Sequence, residues 1–339
     1  MNVNLDEREI LERTKTLGIR FREDPMAPPA KYVWVDAELR DAAQASVPVV
    51  NAGLHYGFSV FEGIRCYDTY RGAAVFRLEE HVDRLLDSAH IVGFRELPVT
   101  REQLIDAIHR TIAANQFAAC YIRPVIYLDG GMNLVVDSGK PRLLIAVWEW
   151  KAFFGAEAKA RGIRANIASL TRLHPNIMMT KAKVGGNYVS SILAKTESQR
   201  AGFDEAIMLD PQGFVAECTG ENLFVARKNI IYTPPRGTIL EGITRDSLIT
   251  LARDLGYELI EEPISRDQLY IADEVFVCGT AAEVIALREI DFRTIGSGRA
   301  GPITQALQQA FDEVTGGHHA RSAEWLSYVP AFDAAVARV

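Results

Sequence analysis

The segment NIMMTKAKVGGNYVSS (residues 176–191) sets two lysines, Lys181 and Lys183, among apolar neighbours and follows them with the glycine pair Gly185–Gly186. An amine in apolar surroundings loses part of its preference for the charged form, which prepares it to condense with a carbonyl cofactor. Paired glycines let a backbone or ligand approach closely. The competing reading is two solvated lysines on a strand edge, and because residues two apart share one face of a strand, periodicity does not choose between them. Three further pieces would suit a phosphorylated aldehyde. EGITRD (241–246) offers free backbone N–H groups and the Thr244 hydroxyl at a helix N-terminus, which attracts an anion. CGTAAEV (278–284) is a second such turn. FVAECTGENLF (214–224) carries Glu217 and Glu221; a buried carboxylate there needs a cation, such as a pyridinium nitrogen, whereas a solvated one is an ordinary turn residue.

Other chemistries lose their motifs. There is no GxSxG elbow and no HExxH, and Gly139-Lys140 is followed by Pro141 and lacks the glycine of a P-loop. GSGRAG (296–301) satisfies GxGxxG, but no strand with an acidic tip follows its helix, so it reads as a turn feeding a helix. The chain has 339 residues, 37 Lys+Arg against 44 Asp+Glu and a net charge of -7, which argues against a nucleic-acid partner. At 48% hydrophobic and 24% charged it is an ordinary globular sequence. The four cysteines, Cys66, Cys120, Cys218 and Cys278, show neither metal-ligand spacing nor a disulfide framework. The N-terminus mixes both charge signs, and no apolar stretch approaches the ~20 residues of a membrane span. We read the chain as cytoplasmic, without a metal and without a membrane partner.

The elements that must position these residues form two α+β units. LDEREILERTKTLG (5–18) predicts a helix in an N-terminal arm (1–30), closed by the extended MAPPA. A small α+β domain (31–149) carries the β-like runs KYVWVD, VPVV and AAVFRL. Two helices follow, LEEHVDRLLDSAHIVG and REQLIDAIHRTIAANQ, and then the strands CYIRPVIYL and RLLIAVWEW on either side of a long turn-rich loop. KAFFGAEAKARG (151–162), just after Trp150, marks a linker placed at 150–160. The larger unit (161–339) opens on IRANIASL. In it Asn187 caps the helix YVSSILAKTESQRAG, EAIMLD-PQG-FVAE is a strand-turn-strand, and NLFVA, NIIYT and DEVFVCG are strands. TRDSLITLARDLG and a segment from Pro302 to Gly316 are helices. The expectation is two α+β domains around a cleft.

HYGFSVFEGIRCYD, YIRPVIY, KAKVGGNYVSS, ECTGENLF, LEGITRD and DEVFVCGTAAEV, in this order and spacing over about Lys31 to Trp325, resemble the branched-chain amino-acid aminotransferases. The resemblance implies the class IV, fold type IV pyridoxal 5'-phosphate architecture: a small α+β domain, a larger pseudo-barrel-like α/β domain, and the cofactor at their interface. Carried over, Lys183 matches the lysine that holds the cofactor covalently and moves protons, Tyr188 the tyrosine on its phenolic oxygen, and Glu217 the carboxylate on its ring nitrogen. Arg84, Ile243, Thr244 and Thr280 match the phosphate site, and Leu240 packs on the ring. Arg84 falls off the apolar stripe of its helix. Around the substrate the resemblance points to Tyr56, Phe61, Gly63, Arg65, Tyr121, Arg123, Trp150, Thr280 and Ala281. Met132 and Leu134 match a loop that closes the neighbouring subunit's pocket, which implies a homodimer or larger assembly. The implied activity is ping-pong amino transfer between L-leucine, L-isoleucine or L-valine and 2-oxoglutarate. D-amino-acid and R-amine transaminases and aminodeoxychorismate lyase are the alternatives within the fold. Three features depart from the pattern: Phe153 where a tyrosine is common, Glu241 where a proline is frequent, and the long N-terminal arm.

Overall fold

The computed structural model of the chain describes residues 30–331 apart from 151, 152 and 155, so the helix expected over 5–18 lies outside the described residues. The first sheet takes β1 (Tyr32–Val35), β2 (Glu38–Asp41), β3 (Ser59–Phe61), β4 (Ile64–Thr69), β5 (Gly72–Phe76), β6 (Cys120–Gly130) and β7 (Gly139–Trp148). Among them lie α1 (Ala52–Tyr56), α2 (Leu78–Ile91) and α3 (Arg101–Asn115). After α4 (Ala156–Arg161) come β8 (Ile163–Ile167), α5 (Tyr188–Arg200), β9 (Glu205–Leu209), β10 (Val215–Cys218), β11 (Asn222–Arg227) and β12 (Ile230–Thr233). The chain continues through α6 (Ile243–Asp254), β13 (Glu258–Glu261), α7 (Arg266–Tyr270), β14 (Glu274–Gly279), β15 (Glu283–Ile290), β16 (Arg293–Thr294), α8 (Pro302–Thr315), α9 (Ser322–Trp325) and β17 (Leu326–Tyr328).

Alternation along the strands decides which face of the first sheet is buried where. Ile64 and Cys66 of β4, Ile122 of β6 and Val147 of β7 point into a core shared with Val82 and Leu85 of α2 and Ile108 of α3. Arg65 and Tyr67 take the opposite face, and the antiparallel register sets Arg65 beside Tyr121 and Tyr121 beside Trp148. That polar and aromatic face looks toward the second sheet. Of the stripe that helical spacing predicts, Leu78, Val82, Leu85, Ala89 and Val92, the first four are buried on α2 while Val92 is its half-buried C-cap, and Arg84 lies at the stripe's margin. Thr100 starts α3 with a capping box: its Oγ accepts from Gln103 N–H, and Gln103 Oε1 accepts from Thr100 N–H at 2.9 Å.

The second sheet runs β10-β9-β8-β15-β14-β11-β12-β13, with parallel pairings at β8/β9, β8/β15 and β12/β13. Phe76 of the first sheet meets Phe311 of α8 and Trp325 edge-on, with ring centroids 5.4 and 5.9 Å away, in a core that also holds Phe224, Phe276 and Leu248. This cluster fixes the two sheets to each other. The chain also crosses back, because β17 pairs antiparallel with β5. A single division at a linker does not contain that return.

Four local expectations are corrected. VPVV (47–50) is not a strand: the segment is irregular, with Val49 and Val50 exposed, because it lies at a surface with no strand beside it. The loop between β6 and β7 is shorter than its turn residues suggest, since pairing continues to Gly130 opposite Gly139. The linker carries α4, packed on β15. Asn187 stands before α5 without a side-chain cap, because a 3₁₀ turn over Gly185–Asn187 leads into the helix and already bonds the backbone.

Candidate active site

Lys183 is pinned through its backbone by the first sheet. Phe61 N–H donates to its carbonyl at 3.0 Å, its own N–H donates to Ser88 Oγ of α2 at 3.0 Å, and Val184 bridges to Val60. The glycine pair is what permits this docking: Gly186 N–H donates to the Gly57 carbonyl at 3.0 Å, and a Cβ at Gly185 would lie 2.5 Å from Ser59 Oγ. Lys183 Nζ then donates to Tyr188 Oη at 2.7 Å and sits 5.1 Å from the centre of the Phe61 ring. Lys181 goes elsewhere. The segment is a turn rather than a strand, so the two side chains do not share a face. The Lys181 ammonium bonds the Arg236 carbonyl and pairs with Glu241 at 3.1 Å, at the surface. Geometry thereby separates the two lysines that spacing left together.

Lys183 opens into a cavity lined by Arg84, Arg172, Tyr188, Glu217, Glu221, Asn222, Leu240, Thr244 and Thr280, among others. The predicted residues Arg84, Lys183, Tyr188, Glu217, Leu240, Thr244 and Thr280 thus meet in one place, with Ile243 buried beside them in the first turn of α6. Gly242 at the N-cap of α6 makes no side-chain cap, so that first turn keeps donors for an anion.

Both glutamates are buried, which removes the solvated-turn reading. Glu217 already has a protein cation: Arg172 Nη2 lies 2.5 Å from its Oε1, Asn222 Nδ2 donates to Oε2 at 3.0 Å, and Leu240 N–H donates at 3.3 Å. The cation that a buried carboxylate needs is thus present within the chain, in the Arg172 guanidinium. Burial and then the nearby Glu205 carboxylate push Glu221 up to about 8, with Lys195 opposing. The two carboxylates are set apart in this way: Glu217 grips an arginine, while Glu221 is driven toward its neutral form.

Arg84 is aimed by Glu62, a fully buried carboxylate that accepts its Nε at 2.6 Å and its Nη2 at 2.8 Å, while Arg84 Nη1 donates to the Glu241 carbonyl at 2.7 Å. His81 Nδ1 lies 2.8 Å from the same carboxylate. Burial alone would raise the Glu62 pKa; the Arg84 charge and the His81 hydrogen bond overturn that and hold it far below the usual carboxylate range. Burial also lowers the His81 pKa, so the imidazole donates to the ionised Glu62 as a neutral ring.

An aromatic cage adjoins Lys183. Phe61 meets Tyr188 edge-on at 5.0 Å and lies 4.5 Å from the Arg123 guanidinium, while Tyr121 packs on Trp150 at 4.6 Å. Trp150 Nε1–H reaches the Ala281 carbonyl at 3.4 Å, which ties the cage to the turn that carries Thr280. Phe153, without the hydroxyl common at that position, stacks on Trp150 at 6.0 Å. Gly63 makes room for Tyr121, since a Cβ there would overlap Tyr121 Oη. Gly63→Ala is expected to cost about 1–3 kcal/mol of stability and, by displacing Tyr121, to raise the KM for an amino-acid substrate roughly ten- to a hundredfold. Gly237→Ala, where nothing lies within 4 Å of the added Cβ, is the silent control. Thermal melting and steady-state kinetics on the two variants check this.

Other predicted residues lie outside the cavity. Arg65 pairs with Glu283 at 3.4 Å and stacks over Tyr67. Tyr56 is half exposed and donates to the Met132 carbonyl at 3.2 Å, and Leu134 is 77% exposed. Sequence reading missed Arg172, Asn222, Glu62, His81 and Ser88. Glu62 stands as a lone polar residue in the apolar run VFEGI, which is a usable signal; Arg172 has none.

A half-buried lysine on a tyrosine, a buried carboxylate paired with an arginine in the same cavity and an anchored arginine beside a helix N-terminus agree with what family comparison finds: residues 59–290 fit the model "Amino-transferase class IV". The chain belongs to the class IV aminotransferases. It is 45% identical over 298 residues to the branched-chain-amino-acid aminotransferase of Pseudomonas aeruginosa, covering 88% of this chain and 97% of that one. It is 44% identical over 305 residues to the Escherichia coli K12 protein of the same name, covering 88% and 98%. Among solved structures, the Escherichia coli branched-chain amino acid aminotransferase superposes with TM-score 0.86 at 43% identity, over 89% of this chain and 100% of that one. The branched-chain amino acid aminotransferase of Thermobaculum terrenum, solved in its PLP-bound holo form, gives TM-score 0.84 at 32% identity, over 89% and 99%.

Proposed function

We infer that the protein is a branched-chain amino-acid transaminase that uses pyridoxal 5'-phosphate to pass an amino group between leucine, isoleucine or valine and 2-oxoglutarate. The observation that carries this reading is Lys183 on Tyr188 in a cavity that also holds Glu217 and Arg84. The residues fit the cofactor. Arg84, Thr244, Thr280 and the uncapped start of α6 suit a phosphate, Glu217 suits a protonated ring nitrogen, Tyr188 suits a phenolic oxygen, and Leu240 supplies an apolar wall. Arg172 also leaves its Nε buried without a partner.

When bound, the cofactor supplies an aldehyde for the amino group and a ring that withdraws electrons from the α-carbon. Lys183 Nζ would hold it covalently, and the same amine would move the proton at the substrate α-carbon; its 2.7 Å bond to Tyr188 Oη fixes where that nitrogen sits. Arg172, Asn222 and the Leu240 N–H hold the Glu217 carboxylate in place. The Thr280–Ala281 turn and Tyr121 take the substrate α-carboxylate. Phe61, Tyr121 and Trp150 wall an aliphatic side chain, worth about 1.5–3 kcal/mol when fully buried. Arg123, with its Nε buried and unpartnered, pairs the second carboxylate of glutamate. Initial rates with L-leucine, D-alanine and R-phenylethylamine, each with 2-oxoglutarate, test the reading. Leucine is the expected substrate, and preference for either of the others replaces it with a different class IV activity.

The active unit is a homodimer or larger. Leu54, Leu134, Val189, Ile192 and Leu193 are each more than half exposed. The Tyr56–Met132 hydrogen bond and the Gly57–Gly186 contact draw their three segments onto one side of the chain. An apolar surface of this kind marks an interface. It supports the reading that Tyr56, Met132 and Leu134 serve a neighbouring subunit's pocket. Ile192→Asp is expected to shift the assembly to monomer by light scattering and to lower activity with it. A monomeric parent protein, or an unchanged mass in the variant, contradicts the proposal. Cytoplasmic residence belongs to the same reading and is supported by four free, buried cysteines. Among the described residues no helix is long and apolar enough to cross a membrane.

A further inference from the structure

Glu283 closes the turn that carries Thr280 and Ala281, and it does so in an unusual backbone state. β14 and β15 pair with Gly279 opposite Glu283, which leaves Thr280–Ala281–Ala282 as a three-residue connection. Glu283 has φ +58, the left-handed conformation that such connections ordinarily give to glycine. A side chain retained at a strained position near a functional site points to work that glycine cannot do.

That work is visible in its contacts. The Glu283 carboxylate reaches Arg65 Nη1 at 3.4 Å through one oxygen and Lys159 Nζ at 3.6 Å through the other, and Lys159 is held in turn by Asp312 at 2.5 Å. The Tyr67 phenol lies alongside: burial raises its pKa, Arg65 lowers it, and the Glu283 charge raises it further. Arg65 stands opposite Tyr121 in the β4/β6 register, so it leaves the sheet on the face that carries Tyr121, Arg123 and Trp148. Its side chain is only 12% exposed and its Nε is buried without a partner. Without Glu283 this guanidinium would stand as an uncompensated buried cation beside an apolar cage, a state that favours an anionic ligand and penalises an aliphatic one.

We propose that Glu283 sets the side-chain selectivity of the site by neutralising Arg65, which admits an aliphatic side chain where a second free arginine beside Arg123 would tilt the site toward a second carboxylate. Glu283 is a positioning residue that acts through Arg65, and the proposal rests on the transaminase reading above. The turn it closes joins this selectivity to the α-carboxylate site, since both are built on the same three-residue connection.

The test uses the cofactor-loaded protein. Glu283→Gln removes the charge and keeps the backbone state; Glu283→Gly removes the charge and relieves the backbone. Both are expected to lower the ratio of kcat/KM for L-leucine to that for L-glutamate on the order of tenfold, largely through KM, while the Glu283→Gly melting temperature holds or rises. Calorimetric titration with the unreactive acids 4-methylvalerate and glutarate is expected to show weaker binding of the first and tighter binding of the second. In an Arg65→Met background, Glu283→Gln should no longer move the ratio. An unchanged ratio with unchanged affinities overturns the proposal, as does an equal loss for both substrates accompanied by a fall in melting temperature. A parent protein that transfers no amino group from leucine sinks the transaminase reading itself, whereas an active parent with unmoved variants sinks only the role of Glu283.

Discussion

Lys183→Ala is expected to fold as the parent does, to lose the borohydride-reducible absorbance of the bound cofactor, and to lose transamination by on the order of 10³-fold or more. The fold should survive because the lysine contributes little packing through its head group. Its structural ties, to Phe61 and Ser88, run through backbone atoms that alanine keeps. Activity should not survive, because Nζ both carries the cofactor and moves the substrate proton. Lys181→Ala is the internal control. Its ammonium is an exposed partner of Glu241, and a surface pair of that kind contributes about 0–1 kcal/mol. Circular dichroism, absorbance before and after borohydride, and single-turnover rates on the two variants read all of this.

The second large effect falls on Glu62. It is fully buried and is the principal acceptor for Arg84, so Glu62→Ala leaves a largely buried guanidinium without its carboxylate and is expected to cost about 3–5 kcal/mol of stability. Phosphate affinity should fall with it, because Arg84 is then free to leave the cavity wall. The pH dependence has a definite sign. The folded-state pKa of Glu62 lies below its ordinary value of 4.5, so the stabilisation from the pair is complete above that value and is lost as the pH falls through the folded-state pKa. Glu62→Gln keeps the shape and removes the charge. It should be destabilised at neutral pH and show a flatter acid limb than the parent in denaturant melts from pH 7 to 3. A parent and a glutamine variant with parallel acid limbs would contradict the assignment.

Much of this architecture is legible in the sequence, for reasons that differ by element. α2 and α3 are readable because a 3.6-residue apolar period and a threonine cap are local signals, and the β9/β10 hairpin because PQG lies between two apolar runs. VPVV misleads because four apolar residues in a row look alike whether they pair in a sheet or lie exposed on a surface. The choice between Lys181 and Lys183 does not follow from spacing, since a turn rather than a strand separates them, and the segment just after that turn is docked by Gly186 N–H on the Gly57 carbonyl of a distant segment. The partners of the functional groups are the least legible. Arg172 and Glu217 are brought together across α5 and β9, and Glu62 meets Arg84 only after β4 and β5 have folded back. Resemblance to a family supplies Arg84 and Glu217, but not the groups that aim them.

The central claim is that Lys183, and no other amine, carries the cofactor. Pyridoxal 5'-phosphate added to the purified protein, reduced with borohydride and mapped by peptide mass spectrometry, tests this most directly. The account predicts one phosphopyridoxyl group per chain, on Lys183, with Lys181 unmodified. A label on Lys181, a label spread over surface lysines, or no label at all would contradict it.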